Sequence, residues 1–151
     1  MKQITQWFSD QGWRPQRFQK ACWKAYNKGQ SGMLHAPTGS GKTYIAIMLI
    51  KHLRAELRQG GKKAIFLVNS VPLVDQQSDA IRKMTGLEVG SFCGADGVDD
   101  WDEEKWRQET GKYQVLVLVH QVVMLTIVKS KIRVFLTGLL GSLDSLLLQT
   151  D

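Results

Sequence analysis

The sequence predicts an α/β fold, a parallel sheet with helices on both faces, and three observations carry that prediction. Two continuous apolar runs, Ala64–Val68 and Val115–Val119, read as strands buried on both sides. Segments with apolar residues at helical spacing alternate with these runs. A length of 151 residues, 43% apolar and 23% charged, suits one globular domain and excludes a disordered, collagen-like or disulfide-scaffold chain.

The elements follow in order. Ile4, Trp7 and Phe8 lie at helical spacing before a stop at Gly12. Pro15, at a plausible first helical position, opens a second helix. There Phe18, Cys22, Ala25 and Tyr26 form an apolar stripe that ends at Asn27-Lys28-Gly29. The short run Gly32–Ala36 reads as a strand. A long helical pattern spans Lys42–Gln59, with Ile45, Leu49, His52, Leu53 and Leu57 on one side, and Gly60-Gly61 stops it. After the Ala64–Val68 strand come a helix from about Leu73 to Met84 and a weaker strand around Leu87–Phe92. An acidic loop, Cys93–Asp100, leads into a Trp-bearing helix near Trp101–Gln108. The apolar stretches 115–128 and 134–148 are shorter than the ~20 residues of a spanning helix and read as core, so no membrane association is expected.

The motif that carries chemistry is Ala36-Pro37-Thr38-Gly39-Ser40-Gly41-Lys42-Thr43. It stands between a predicted strand and a predicted helix, the setting a phosphate-binding loop requires. Gly39 and Gly41 free the backbone to aim successive N–H groups at one anion. The helix that begins here adds its positive dipole end. Lys42 would face the β- and γ-phosphates and the Thr43 hydroxyl would ligate Mg²⁺, so ATP and Mg²⁺ are the expected cofactors. Ala36 replaces the first glycine of the general pattern.

Charge is unevenly placed. Residues 1–63 hold 12 basic and 2 acidic side chains, whereas 64–114 hold 5 and 10. A basic first half points to polyanion contact, although a solvated face is the commoner origin of such an excess. The acids Asp96, Asp99, Asp100, Asp102, Glu103 and Glu104 do not match calcium-loop spacing and read as a solvated loop and helix start. Trp101 and Trp106 read as packing groups. His35, His52 and His120 show no metal spacing. Cys22 and Cys93 lie far apart, as in a reducing compartment. The N-terminus lacks the apolar region of a secretory signal, so an intracellular location, cytoplasmic rather than nuclear, is expected.

The Ala-x-Thr-Gly-x-Gly-Lys-Thr loop, with the glutamine of Arg17-Phe18-Gln19 upstream, resembles that of superfamily 2 DNA/RNA helicases. The resemblance implies a RecA-like first lobe, incomplete in its sheet, and adenine recognition by Gln19. Residues 4–50 are most similar to Lhr-type, ligase-associated DExH helicases. Residues 61–121, with GKKAIFLVNSVPLVDQQSDAIRKMTGLEVGSFCGADGVDDWDEEKW and KYQVLVLVHQ, resemble the helicase domain of Dicer. This change of affinity near 50–60 raises a chimera or a misjoined gene model as an origin. The resemblance makes Asn69, Ser70, Val71 and Pro72 a nucleic-acid contact at a strand-to-helix turn, with Gln121 in a second such segment. Read from residues alone, 69–72 is an ordinary helix start with Asn69 or Ser70 as cap.

The family's DE-x-H acids, which hold Mg²⁺ and position the attacking water, have no counterpart after Gln121. Asp144 and Asp151 are the only acids there. No catalytic residue is identified, and the second lobe with its arginine finger is not in these 151 residues. The expected organisation is a lobe over 1–127 and an atypical apolar tail over 128–151. The expected function is an ATP-binding fragment of a nucleic-acid-dependent helicase, with double-stranded RNA favoured over DNA, unable to hydrolyse ATP alone. The alternatives are a non-catalytic regulator that binds nucleic acid or a helicase partner, a truncated or misannotated gene product and, more remotely, a small kinase with the same loop.

Overall fold

Among the described residues seven glycines sit at positive φ, and most of them mark where an element stops. The structure, a computed structural model, describes residues 2–30, 32, 34–37, 39–60, 63–119 and 147–150. They fall into two compact units, residues 1–53 and 54–151.

The first unit is helical. Helix α1 spans Lys2–Asp10 and buries Ile4 and Phe8, one turn apart. Gly12, at φ 73°, turns the chain after it. Helix α2 spans Arg17–Asn27. Pro15 is therefore not its first residue. It lies outside the N-cap Gln16, which forms a reciprocal capping pair with Gln19. The buried residues of α2 are Gln19 and Trp23, while the expected stripe of Phe18, Cys22, Ala25 and Tyr26 is only half-buried. Helix α3 spans Lys42–His52 and buries six consecutive residues, Ile45–Ile50, so it is covered on every side at mid-length.

Two expectations fail here. The single helix over 42–59 is broken at Leu53, whose N–H reaches Leu49 O and Lys51 O, and a separate α4 spans Arg54–Gln59. The physical reason lies in the second unit. Arg54 and Arg58 of α4 donate to the carbonyls of Thr85 and Gly86 at the end of the next helix, each at 3.4 Å, where cations suit the negative dipole end. The expected strand over Gly32–Ala36 is also absent: none of residues 32 and 34–37 is in a strand, and Leu34 is 36% exposed. A strand needs a ladder partner for its polar backbone, and the four described strands pair with one another.

Strand β1, Ala64–Val68, pairs in parallel with β3, Val115–Val119, and with β4, Leu147–Thr150, while β2, Val89–Phe92, pairs in parallel with β3. The order is β2-β3-β1-β4, with Ala64 opposite Val115 and Ile65 opposite Leu147. All five residues of β1 and of β3 are buried, as their unbroken apolar runs require. This is the expected α/β class, a parallel sheet flanked by helices, and it is consistent with part of a RecA-like lobe. The expected core over 120–128 and 134–146 lies outside the described residues.

Helix α5, Val71–Thr85, packs on the sheet with Val74, Gln77, Ser78, Ile81 and Thr85 buried. Gly86, at φ 69°, caps it with a bond from its N–H to Arg82 O. The Cys93–Asp100 loop is a pair of 3₁₀ turns, 94–96 and 98–100, and α6 spans Glu103–Gly111 with Asp102 accepting from the Lys105 N–H at 2.8 Å. Trp101 precedes α6 in extended backbone and folds back on Trp106, with centroids 5.0 Å apart, and both rings meet Phe92. Both tryptophans pack.

Gly90 in β2 is fixed by space rather than by φ. A Cβ there would lie 2.5 Å from Tyr113 Cδ2 and 2.7 Å from Phe92 Cε2. Gly90→Ala should destabilise the chain by about 1–3 kcal/mol, because two ring edges must move to admit a methyl. Urea unfolding measures this, and a midpoint unchanged from wild type would show that the rings give way freely.

Candidate functional site

The residues of the glycine motif form the start of α3. Gly39 has φ 78° and Gly41 φ 93°, conformations that L side chains rarely adopt. Between them Ser40 closes a tight turn, its N–H donating to Pro37 O at 3.2 Å and its hydroxyl to the same oxygen at 2.6 Å. Gly41 is the N-cap of α3 and Lys42 and Thr43 its first two residues. The N–H groups of that first turn have no acceptor within the helix, and no side chain caps them. Ala36 is half-buried and Pro37 exposed; Thr38 lies outside the described residues.

Gln19 is brought to this turn by α2. Its side chain is 3% exposed and engaged at both ends: Oε1 accepts from the Gln16 N–H at 2.8 Å, and Nε2 donates to Gly41 O at 3.1 Å. One turn on, the Trp23 indole N–H donates to Ile45 O at 3.1 Å. The two bonds share one offset of 22 residues, so Gln19 and Trp23, four apart on α2, grip Gly41 and Ile45, four apart on α3. An amide carries two N–H groups and two acceptor lone pairs, so Gln19 keeps capacity for a further partner.

Gly41 thus has two reasons to be glycine. Its φ is left-handed, and a Cβ would lie 2.8 Å from Gln19 Nε2. Gly41→Ala should strain the backbone and displace the Gln19 amide together, at about 1–3 kcal/mol of stability. The check is chemical unfolding of the variant beside Gly39→Ala, where no atom lies within 4 Å of the added methyl. Equal losses in the two would remove Gln19 from the explanation.

Sequence reasoning missed Trp23 and the rings around Tyr44. Trp7, Trp13 and Tyr44 stand with centroids 5.8–6.1 Å apart, and Phe8 meets both Trp23 and Tyr44. These rings brace the first turn of α3 immediately after Thr43. The available signal was the i, i+4 pairing of Gln19 with Trp23 against that of Gly41 with Ile45. Cys22, on the same helix, has its thiol pushed up by burial, which disfavours the reactive thiolate.

The second group of expected residues belongs to the second unit. Asn69 is exposed at the end of β1, Ser70 is the N-cap of α5 without a side-chain cap bond, and Val71 and Pro72 are its first two residues. Val71 is 47% exposed. Three exposed side chains, the half-buried Ser70 and the free N–H groups of a helix start therefore share one turn. Gln121 lies outside the described residues. Among the described residues no group of His, Cys, Asp and Glu could hold a metal ion, and no helix is long and apolar enough to cross a membrane.

Residues 13–136 match the family described as "Type III restriction enzyme, res subunit". The chain is 41% identical over 108 residues to Endoribonuclease Dicer homolog 1 of Arabidopsis thaliana, an alignment that covers 70% of this chain and 6% of that protein. It is 43% identical over 91 residues to Endoribonuclease Dicer of Gallus gallus, covering 58% and 5%. It is 42% identical over 96 residues to Endoribonuclease Dicer homolog 2 of Arabidopsis thaliana, covering 63% and 7%. The chain thus spans only a small part of the length of these relatives.

Proposed function

We propose, from the premise that this chain belongs to the type III restriction enzyme res subunit family and is a Dicer-like first helicase lobe, that it binds Mg-ATP at the Gly39–Thr43 turn without hydrolysing it. The observation that carries the reading is the pair of left-handed glycines placed immediately before a helix that opens with Lys42 and Thr43. That arrangement gathers uncapped N–H donors, the positive end of a helix dipole and a lysine on one turn.

Neither the Lys42 ammonium nor the Thr43 hydroxyl has a hydrogen-bond partner among the described residues, so both fit the group the motif calls for. Lys42 would hold the β- and γ-phosphates, Thr43 would ligate Mg²⁺, and Gln19 would meet the adenine with its unused amide capacity. The metal, when bound, neutralises phosphate charge. Gln19 also positions: its bond to Gly41 O holds the N-cap residue of α3 in place.

Turnover needs more than binding. Phosphoryl transfer requires an oriented water and charge stabilisation at the γ-phosphate, and an arginine finger alone is worth about 10³–10⁵ in rate. Within these 151 residues no acidic pair follows Gln121. Nucleic acid, double-stranded RNA in preference to DNA, would be met at Asn69–Pro72 and, through the resemblance, at Gln121. The test is phosphate release by the full chain with saturating Mg-ATP, with and without duplex RNA. Release at the no-enzyme rate in both arms is expected. RNA-stimulated release that Lys42→Ala abolishes would refute the inactivity.

A further inference from the structure

We infer that the solvent side of α2 is a docking surface for the phosphate backbone of a nucleic-acid duplex, held by Arg17, Lys20, Lys24 and Lys28. This deepens the nucleic-acid part of the reading above, at a place other than Asn69–Pro72, and does not require ATP to be bound. Between Asp10 and Glu56 the chain has eight basic residues and no acidic one. Four of the eight fall on α2 and its C-cap, Lys28. At 3.6 residues per turn they lie within an arc of about 80° and extend over about 16 Å of helix. All four are exposed, and none forms an ion pair among the described residues.

Lys24, in the last turn, suits the dipole of α2, but the rest of the row does little for the helix. Like charges three and four residues apart repel one another. Arg17 and Lys20 stand in the first turn, where the dipole disfavours cations, and no acid is there to offset them. In the second unit three surface cations have acidic partners, Arg82 with Asp79, and Lys105 and Lys112 with Glu109. An external polyanion supplies the compensation that α2 lacks.

The chemistry of the row selects the partner. Near-regular spacing matches a polymer with a repeated charge, and three of the four residues are lysines, which meet phosphate as point charges. A lipid surface would call for apolar side chains beside the cations. On α2 those groups point elsewhere: Trp23 is buried, and Phe18, Cys22 and Tyr26 are half-buried. The bonds from Gln19 and Trp23 to α3 hold in place the helix that carries the row.

The full chain is titrated with a labelled DNA duplex of about 20 base pairs across a range of salt concentrations, and with an RNA duplex of the same length as a second arm. Lys20→Gln with Lys24→Gln should make the plot of log K against log salt shallower by about 1.8 on DNA, at about 0.9 for each phosphate no longer neutralised. Extrapolated from 1 M to about 0.1 M salt, that is on the order of 50-fold in affinity. Lys20→Arg with Lys24→Arg should retain the slope, and circular dichroism should show the helix intact in both. Asn69→Ala with Ser70→Ala separates the two sites: weaker binding there, with the Gln pair unchanged in slope, overturns the α2 surface and leaves the other reading in place. A slope that falls in the Gln pair although the chain binds no ATP sustains the surface and defeats only the nucleotide reading. Binding of polyglutamate or phosphatidylserine vesicles, with no binding of either duplex, overturns it.

Discussion

Lys42→Ala is expected to weaken Mg-ATP binding by about 10–100-fold, the loss of one charge-assisted hydrogen bond, while leaving the unliganded chain as stable as before or slightly more so. The two effects have opposite signs for a physical reason. Lys42 is the first residue of α3, where the dipole is positive, and the first turn holds no acid and no side-chain cap. A cation there costs about 0.3–1 kcal/mol without ligand, which its removal returns as about 1–3 °C in melting temperature. With Mg-ATP at about 100 times the dissociation constant, the wild-type chain should gain about 2.7 kcal/mol of stability, and the variant should gain far less. Calorimetric titration reads the first effect and a thermal melt the second. A variant that binds ATP normally would show that the loop is a turn with a surface lysine. One that loses ATP binding and also melts early would show that Lys42 supports the fold.

Trp23→Ala is the largest expected loss of stability, about 3–5 kcal/mol or roughly 10 °C in melting temperature. Trp23 is 1% exposed and the largest of the fully buried side chains. It meets the Phe8 ring at 5.7 Å and donates to Ile45 O. Alanine leaves a cavity and removes that donor together. Trp23→Phe separates them: the ring body stays, the bond goes, and the cost should fall to about 1–2 kcal/mol. Unfolding of both variants in urea is the check, and equal losses would assign the whole effect to the hydrogen bond.

What could be read in advance follows from how each element is stabilised. Ala64–Val68 and Val115–Val119 were legible because a strand covered on both faces must be apolar at every position, and both are. The glycine turn was legible because φ 78° and 93° all but require glycine. Periodicity misread α2, because Gln19 is buried by virtue of its hydrogen bonds rather than its hydrophobicity. It misread Lys42–Gln59 as well. Nothing near Leu53 breaks a helix locally, and α4 stands apart because Arg54 and Arg58 reach carbonyls some thirty residues away in sequence. The Gly32–Ala36 run is apolar enough for a strand, but composition does not supply the ladder partner that a strand needs.

The N–H groups of the Gly39–Thr43 turn are expected to hold the phosphates of ATP. Amide hydrogen exchange of the full chain, with and without saturating Mg-ATP, tests it directly. Slowed exchange confined to peptides that contain residues 39–43, with a smaller effect at the Gln19 end of α2, is the expected result. Saturable ATP binding that leaves those amides unchanged and protects another segment would contradict it.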